Sequence, residues 1–492
     1  MNSDDFPVRP LLSPSAVGGL IAGILIFAAT LILPPPAGLP LEGWRTLGLA
    51  LLMAVWWTTE PVPIGITSLM PVIVMPLLGI GDIGTAAAPY ANPVVFLFFG
   101  GFLLAAAVEK WGLHRRLAYA AVRTVGTGPR RLVLGVMTAS GLLSMWISNT
   151  ATVVLLLPVA VSIITALEDA HSPEEVLRPF AVSLLLGLAY SASIAGMSTL
   201  ISSPPNAMLA GYLREKHGID LSFVAWSAVA LPLVIVFLPL TWLALTRLVF
   251  PIPATVPARL KGEQLTKLLG LSGPMTSAEQ RILCVFLSAA LLWATRPLLN
   301  KIPGLGALSD PAIALLCASA LFLIPSGSAK DRRFLMSWRE AQNIPWQVLI
   351  LFGGGLSLAS AMERSGLASW IGAWLAGFGD VPTFLFLLIL IATVLMLTEL
   401  ASNTATVATL LPIGTTIAAA TGHDIVSISA AITMAASCTF MLPMATPPNA
   451  LVFATGHVTI AAMIRAGMVM NIISIVLVSL AALTLAPLLP RP

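Results

Sequence analysis

The chain has 492 residues, of which 58% are hydrophobic and only 9% are charged, and its net charge is +4. A soluble domain carries roughly 25% charged residues, so this composition excludes a large soluble enzyme, whose surface needs polar segments at short intervals. The small positive balance leaves no nucleic-acid footprint; its meaning lies in where the basic residues fall.

Asp4, Asp5 and Arg9 precede the first apolar run, with no small-residue cleavage pattern, which predicts an uncleaved start. Spans follow near 15–34, 43–60, 61–80 and 92–109, then 178–211, 223–247, 280–299, 309–325, 343–362, 425–456 and 462–488. Each approaches the roughly 20 apolar residues that a bilayer crossing needs. Two segments break this pattern, 130–167 and 382–420. From Leu132 to Leu167 the chain holds no charge, yet Ser148-Asn149-Thr150 interrupts the run, as Ser402-Asn403-Thr404 interrupts the other. Each segment reads as a re-entrant helical hairpin with a polar tip, because non-helical backbone at that depth is tolerated only inside protein or against a water-filled cavity. The fold class is therefore an all-α polytopic membrane protein of about 11 transmembrane helices plus two re-entrant hairpins.

Basic residues orient it. One cluster, Lys110, Arg115, Arg116, Arg123, Arg130 and Arg131, precedes the first hairpin. A second, Arg247, Arg259, Lys261, Lys267 and Arg281, lies between the sixth and seventh spans, and Lys330, Arg332, Arg333 and Arg339 lie between the eighth and ninth. With re-entrant hairpins all three share one face, cytoplasmic by the positive-inside rule. The N-terminus is then cytoplasmic and the C-terminus extracytoplasmic.

The sequence repeats itself. Residues 148–153 and 402–407 are identical, Ser-Asn-Thr-Ala-Thr-Val, at an offset of 254. The same offset aligns Gly100-Gly101 with Gly354-Gly355, Glu109 with Glu363 and Gly112-Leu113 with Gly366-Leu367. Five spans separate the two hairpin tips, an odd number, so the repeats have opposite orientations. The expected division is 1–42 as N-terminal segment and first span, 43–250 as first inverted repeat, 251–279 as cytoplasmic linker and 280–492 as second inverted repeat. A further motif pair follows the hairpins: Ser202-Ser203-Pro204-Pro205-Asn206 and Ala445-Thr446-Pro447-Pro448-Asn449. Consecutive prolines remove two backbone donors and break a helix, which frees carbonyl oxygens and leaves a half-helix N-terminus in mid-membrane.

These breaks have a chemistry. No Lys or Arg lies within either hairpin or broken span away from the ends. An anion there depends on half-helix N-termini and on Asn and Thr donors. A sodium ion wants hard oxygen ligands, which unwound carbonyls supply. The hydroxyls of Ser144 and Ser148 share a helix face, and Thr398 and Ser402 repeat that spacing, so two equivalent oxygen-rich sites are expected. Small polar residues also glue helices together, but their duplication beside Pro-Pro breaks favours a site. Glu399, the carboxylate of the second hairpin, aligns with Met145 in the first, so a symmetric site cannot depend on it; it is assigned either a pairing role or a proton relay. Cys284, Cys317 and Cys438 form no metal or disulfide pattern and read as buried, inert thiols. No HExxH, GxSxG or Walker motif supports a hydrolase or a pump, and the charge-free runs offer no lining for a channel.

The paired Ser-Asn-Thr tips, the run Thr398-Glu399-Leu400-Ala401-Ser402-Asn403-Thr404 and the two Pro-Pro-Asn breaks resemble the divalent anion:sodium symporter (DASS) family, bacterial sodium/dicarboxylate cotransporter type, over most of the chain from about residue 40. The resemblance implies a homodimer in the inner membrane that moves a transport domain as an elevator against a scaffold. It implies sodium-coupled uptake of a small dianion, a C4-dicarboxylate such as succinate, malate or fumarate, with no organic cofactor. A dicarboxylate exchanger, or a citrate or sulfate carrier, stands as the alternative on the same fold. Carried over by position, sodium would bind at Ser144, Ser148, Asn149 and Ser202, and again at Thr398, Ala401, Asn403 and Ala445. Substrate would touch Ser148, Asn149, Thr150, Ser203, Ser402, Asn403, Thr404, Thr446 and Pro447. Where the family often has Gly, this chain has Ser202.

Overall fold

The computed structural model describes residues 14–113, 115–116, 119–120, 128–169, 174–252, 274–327, 333–376, 382–400 and 402–491. Ala401 and most of the expected linker 251–279 lie outside them. Among the described residues the only β feature is one antiparallel bridge, Pro325 with Phe334; the rest of the regular structure is helical.

α1 (Pro14–Ile32) comes first and is followed by α2 (Leu41–Thr59), α3 (Met70–Leu78) and α4 (Pro93–Lys110). α2 stops at Glu60 in a left-handed conformation, φ 47°, and α3 at Gly79, φ 74°, where a glycine costs nothing. α4 starts on Asn92, whose side chain accepts from the Val94 amide, with Pro93 pre-set at the first helical position. The hairpin follows as α5 (Pro129–Ser144) and α6 (Asn149–Asp169), then α7 (Glu174–Ala195), α8 (Pro204–His217) and α9 (Phe223–Leu243). The second repeat holds α10 (Ser277–Leu299), α11 (Asp310–Ala320), α12 (Trp346–Arg364) and α13 (Leu367–Ala376). Its hairpin is α14 (Thr383–Leu400) and α15 (Asn403–Ala420), followed by α16 (Ile425–Ala436), α17 (Pro447–Phe453) and α18 (Ile460–Thr484).

Both interrupted segments are helix–break–helix units, as expected, and their starts keep the repeat: α5 and α14 begin at 129 and 383, α6 and α15 at 149 and 403, each 254 apart. Downstream the offset falls to 243, since α8 and α17 begin at 204 and 447. The cause is length: α6 has 21 residues against 18 in α15, α7 has 22 against 12 in α16, and the loop 196–203 is two residues shorter than 437–446.

Three expectations need correction. Six helices are long and apolar enough to cross a bilayer among the described residues, and further apolar helices such as Asp310–Ala320 and Ile425–Ala436 are shorter. The expected span 61–80 is split at Ser68–Leu69, whereas 178–211 and 425–456 are interrupted near their Pro-Pro motifs as expected. The breaks in the last two precede the prolines, which sit at the first two positions of α8 and α17 and start those helices. Cys317 and Cys438 are buried, but Cys284 is exposed on α10.

The repeats interlock. α6 packs on α17 and α8 on α15, so the second half of each hairpin lies against the broken helix of the other repeat. α7 also packs on α17, and α9 on α18. α8 reaches further, to α4 and α12.

Candidate functional site

The break in the first repeat is built on Ser144 at the end of α5. Its hydroxyl lies 2.8 Å from Asn149 Oδ1 and 2.7 Å from the Ala192 carbonyl oxygen. It is fully buried and has one proton to give, so it donates to one of these oxygens at a time. The second repeat matches this atom for atom: buried Thr398 Oγ1 lies 3.0 Å from Asn403 Oδ1 and 2.9 Å from the Ala436 carbonyl oxygen. The unwound loops after α7 and α16 are held alike. Asn206 Nδ2 donates to the carbonyls of Gly196 (2.9 Å) and Thr199 (2.7 Å), and Asn449 Nδ2 to those of Thr439 (3.2 Å) and Leu442 (3.1 Å), which are the 243-offset positions. Ser202 and Ala445 lie buried in these loops. The Ser202 hydroxyl lies 2.6 Å from the Gly196 carbonyl oxygen and 3.0 Å from that of Thr199, and donating to either makes an intraloop tie that a glycine could not.

Ser203 and Thr446 are the N-caps of α8 and α17, buried and nearly identical in backbone, φ −134° and −142°. Thr446 Oγ1 accepts from the Asn449 amide, while Ser203 makes no such bond. Ser148 Oγ accepts from the Ala151 amide and is exposed; Asn149, Thr150, Ser402 and Asn403 are half-buried, Thr404 is buried and Pro447 exposed. With proline at the first two positions, α8 and α17 present a dipole but no N–H there. The amide donors for an anion therefore belong to the first turns of α6 and α15.

Several residues escaped the sequence reading. Thr152 Oγ1 and Thr406 Oγ1, 254 apart, and Asn206 Oδ1 and Asn449 Oδ1, 243 apart, are buried oxygens with no partner among the described residues. Such orphans are costly, and their recurrence in both repeats marks them as a property of the site. The Thr pair stood inside the six-residue identity and the Asn pair inside the Pro-Pro-Asn motif, so the repeat itself was the available signal. Tyr190 OH donates to the Phe440 carbonyl at 2.6 Å and Trp226 Nε1 to the Met197 carbonyl at 2.8 Å; these carbonyls are again 243 apart, although the two aromatic donors are not repeat-related.

Glu399 is 4% exposed. Its carboxylate accepts from the amides of Phe440 (2.9 Å), Met441 (3.0 Å) and Leu442 (3.3 Å) and from Asn471 Nδ2 (3.3 Å). Of the two roles expected for it, pairing is the one these bonds describe: it gathers the N–H groups of the unwound loop in the second repeat. In the first repeat Met145 occupies that position, and Thr199 Oγ1 donates to its carbonyl.

Charge is concentrated at the rims. Lys216, beyond the end of the apolar part of α8, pairs with Glu363 at 2.7 Å, and Glu215 accepts from Asn92 at 3.2 Å. Arg296 bridges Asp310 (3.1 Å) and Asp220 (3.5 Å). Lys110 pairs with Glu340 and Arg116 with Glu279, each at 2.7 Å. A cavity of about 830 Å³ opens beside Asp82, Asn92, Arg214 and Arg364, and no motif residue lines it.

A family model described as the sodium:sulfate symporter transmembrane region matches residues 15–489. A protein named sodium-dependent dicarboxylate transporter SdcS from Staphylococcus saprophyticus is 39% identical over 475 residues, covering 95% of this chain and 91% of that one. A protein of the same name from Staphylococcus aureus is 38% identical over 476 residues, covering 96% and 91%. In fold the chain is similar to the YdaH transporter of Alcanivorax borkumensis, with a TM-score of 0.61, 16% identity and coverage of 97% and 100%. It is also similar to MtrF of Neisseria gonorrhoeae, with a TM-score of 0.59, 14% identity and coverage of 96% and 95%.

Proposed function

The chain belongs to the sodium:sulfate symporter family, the divalent anion:sodium symporters, and on that premise we propose that it is a secondary active transporter that imports C4-dicarboxylates such as succinate, malate and fumarate with sodium. Its relatives carry the name of sodium-dependent dicarboxylate transporters over nearly the full chain. The observation that carries the reading is the duplicated oxygen cluster, Ser144–Asn149–Ala192 and Thr398–Asn403–Ala436, beside half-helix N-termini whose motifs contain no Lys or Arg. Oxygens without fixed positive charge suit a hard cation. The cation in turn offsets the charge of a dianion held by the amides of α6 and α15 and by the motif hydroxyls.

In this reading Ser144, Ser148, Asn149 and the Ser202 carbonyl hold one sodium, and Thr398, Asn403 and the Ala401 and Ala445 carbonyls the other. Ser148, Asn149, Thr150, Ser203, Ser402, Asn403, Thr404, Thr446 and Pro447 face the dicarboxylate. The interlocked hairpins and broken helices form one transport body that rides as an elevator against a scaffold including α1–α4 and α10–α12. Two eleven-span protomers pair in the inner membrane, with the N-terminus cytoplasmic and the C-terminus extracytoplasmic. Moving more sodium charge than substrate charge inward gains about 2.3 kcal/mol per net charge per 100 mV.

The test is uptake of radiolabelled succinate into proteoliposomes with and without an inward sodium gradient. Sodium-stimulated uptake that unlabelled malate and fumarate inhibit, and sulfate and citrate do not, is the expected result. Uptake indifferent to sodium but strongly trans-stimulated by internal dicarboxylate would replace symport with exchange.

A further inference from the structure

The two oxygen clusters match except at one position. At the 243-offset the first repeat has Gly196 and the second has Thr439. Thr439 is fully buried, and its hydroxyl lies 2.9 Å from Asn403 Oδ1 and 3.4 Å from the Ala436 carbonyl oxygen. Those are the two oxygens that Thr398 Oγ1 also approaches, at 3.0 and 2.9 Å. In the first repeat the corresponding space is closed to a side chain, since a Cβ on Gly196 would stand 2.3 Å from Asn149 Oδ1.

Counting protons gives these distances a meaning. In the second cluster two hydroxyls, Thr398 and Thr439, face two acceptors, Asn403 Oδ1 and the Ala436 carbonyl. That makes four oxygen–oxygen contacts of 2.9–3.4 Å for which only two protons exist. Two contacts are therefore left without a proton of their own, an arrangement that a cation among the oxygens relieves. In the first cluster one hydroxyl faces two acceptors, so a single contact is left without a proton.

We propose, building on the sodium-coupled reading, that Thr439 is an oxygen ligand of the second cation site with no counterpart in the first. The two coupling sites are then chemically unequal: the second gathers one more protein oxygen and binds its cation the more tightly. Thr439 also ties the unwound loop to Asn403, whose amide and neighbouring hydroxyls face the substrate in the proposed function, so filling the second site orders the tip that receives the dianion.

The test needs a readout other than transport. Purified protein in detergent, without dicarboxylate, is titrated with sodium at constant ionic strength against choline, and thermal unfolding reports cation binding. Thr439→Val keeps the shape and removes the oxygen; the sodium concentration for half-maximal stabilisation is expected to rise about tenfold, a typical loss when a metal site is deprived of a supporting group. Thr439→Ser restores the hydroxyl and the wild-type curve. Should the Val variant not remain monodisperse, Thr439→Ala is read the same way. A Val or Ala curve that superimposes on a sodium-responsive wild type overturns the proposal and leaves the sodium reading standing. A wild type with no sodium response overturns the sodium reading, and the proposal with it.

Discussion

Replacing Gly196 by alanine perturbs the first cluster at a single point. The new methyl carbon would lie 2.3 Å from Asn149 Oδ1, 3.0 Å from Asn149 Cγ and 3.1 Å from the Ala192 carbonyl oxygen. Ordinary contact begins near 3.4 Å, so the Asn149 carboxamide must retreat by about 1.1 Å (3.4 less 2.3). That movement takes Oδ1 away from Ser144 Oγ, now 2.8 Å distant. The lost hydrogen bond costs the fold about 0.5–1.5 kcal/mol, a modest change. The displaced ligand costs more in binding, about ten- to a hundredfold in cation affinity. By linkage, each tenfold loss removes about 1.4 kcal/mol of sodium-dependent stabilisation at a fixed saturating concentration. Thermal unfolding in sodium chloride and in choline chloride separates these terms: the choline curves of wild type and variant should nearly coincide, and the sodium-induced shift should shrink. Gly18→Ala is the control, because no atom lies within 4 Å of its added Cβ. If Gly196→Ala kept the full sodium-induced shift, Asn149 Oδ1 would not be a cation ligand and the first-site assignment would be wrong.

Asn149→Ala and Asn403→Ala should each severely reduce succinate uptake while the protein elutes as the folded species; normal uptake in either variant removes that residue from the site. Glu399→Gln exchanges a carboxylate that accepts from three amides and Asn471 for a group with one fewer acceptor, and leaving a buried donor unpaired costs about 1–3 kcal/mol. Its melting temperature should fall even in choline, and an unchanged melting curve would show that the loop does not rely on the charge. Arg296→Met strands Asp310, which is 4% exposed; breaking such a pair costs roughly 3–5 kcal/mol. The accompanying change Asp310→Asn should restore much of that loss, and a single variant as stable as wild type would count against the ion pair.

Some of this was readable before any coordinates. The offset of 254 places the two hairpins to the residue, because Ser148–Val153 and Ser402–Val407 are identical and a polar tip inside an apolar run has one physical use. What the sequence hides is the change of register to 243. Unequal lengths across α6, α7 and the following loop break the 254 alignment before the clusters are complete, so the pairing of Gly196 with Thr439 does not appear at that offset, although the Pro-Pro-Asn motifs pair Asn206 with Asn449. Half the donors and acceptors are backbone atoms, Ala192 and Ala436 among them, and a carbonyl leaves no mark in the residue type. The aromatic clamps Tyr190 and Trp226 read as ordinary apolar span residues, and Glu399 declared its importance but not its partners. Span counting did less well, since a helix split at Ser68–Leu69 does not look broken in a hydropathy window.

The cross-packing of α6 on α17 and α8 on α15 has a mechanical corollary. The duplicated halves touch across their boundary, the second half of each hairpin resting on the broken helix of the other. Rocking one half against the other would part α6 from α17 and α8 from α15. In the elevator reading proposed above, the interlocked pieces move together and the slip plane runs along the faces where α8 meets α4 and α12.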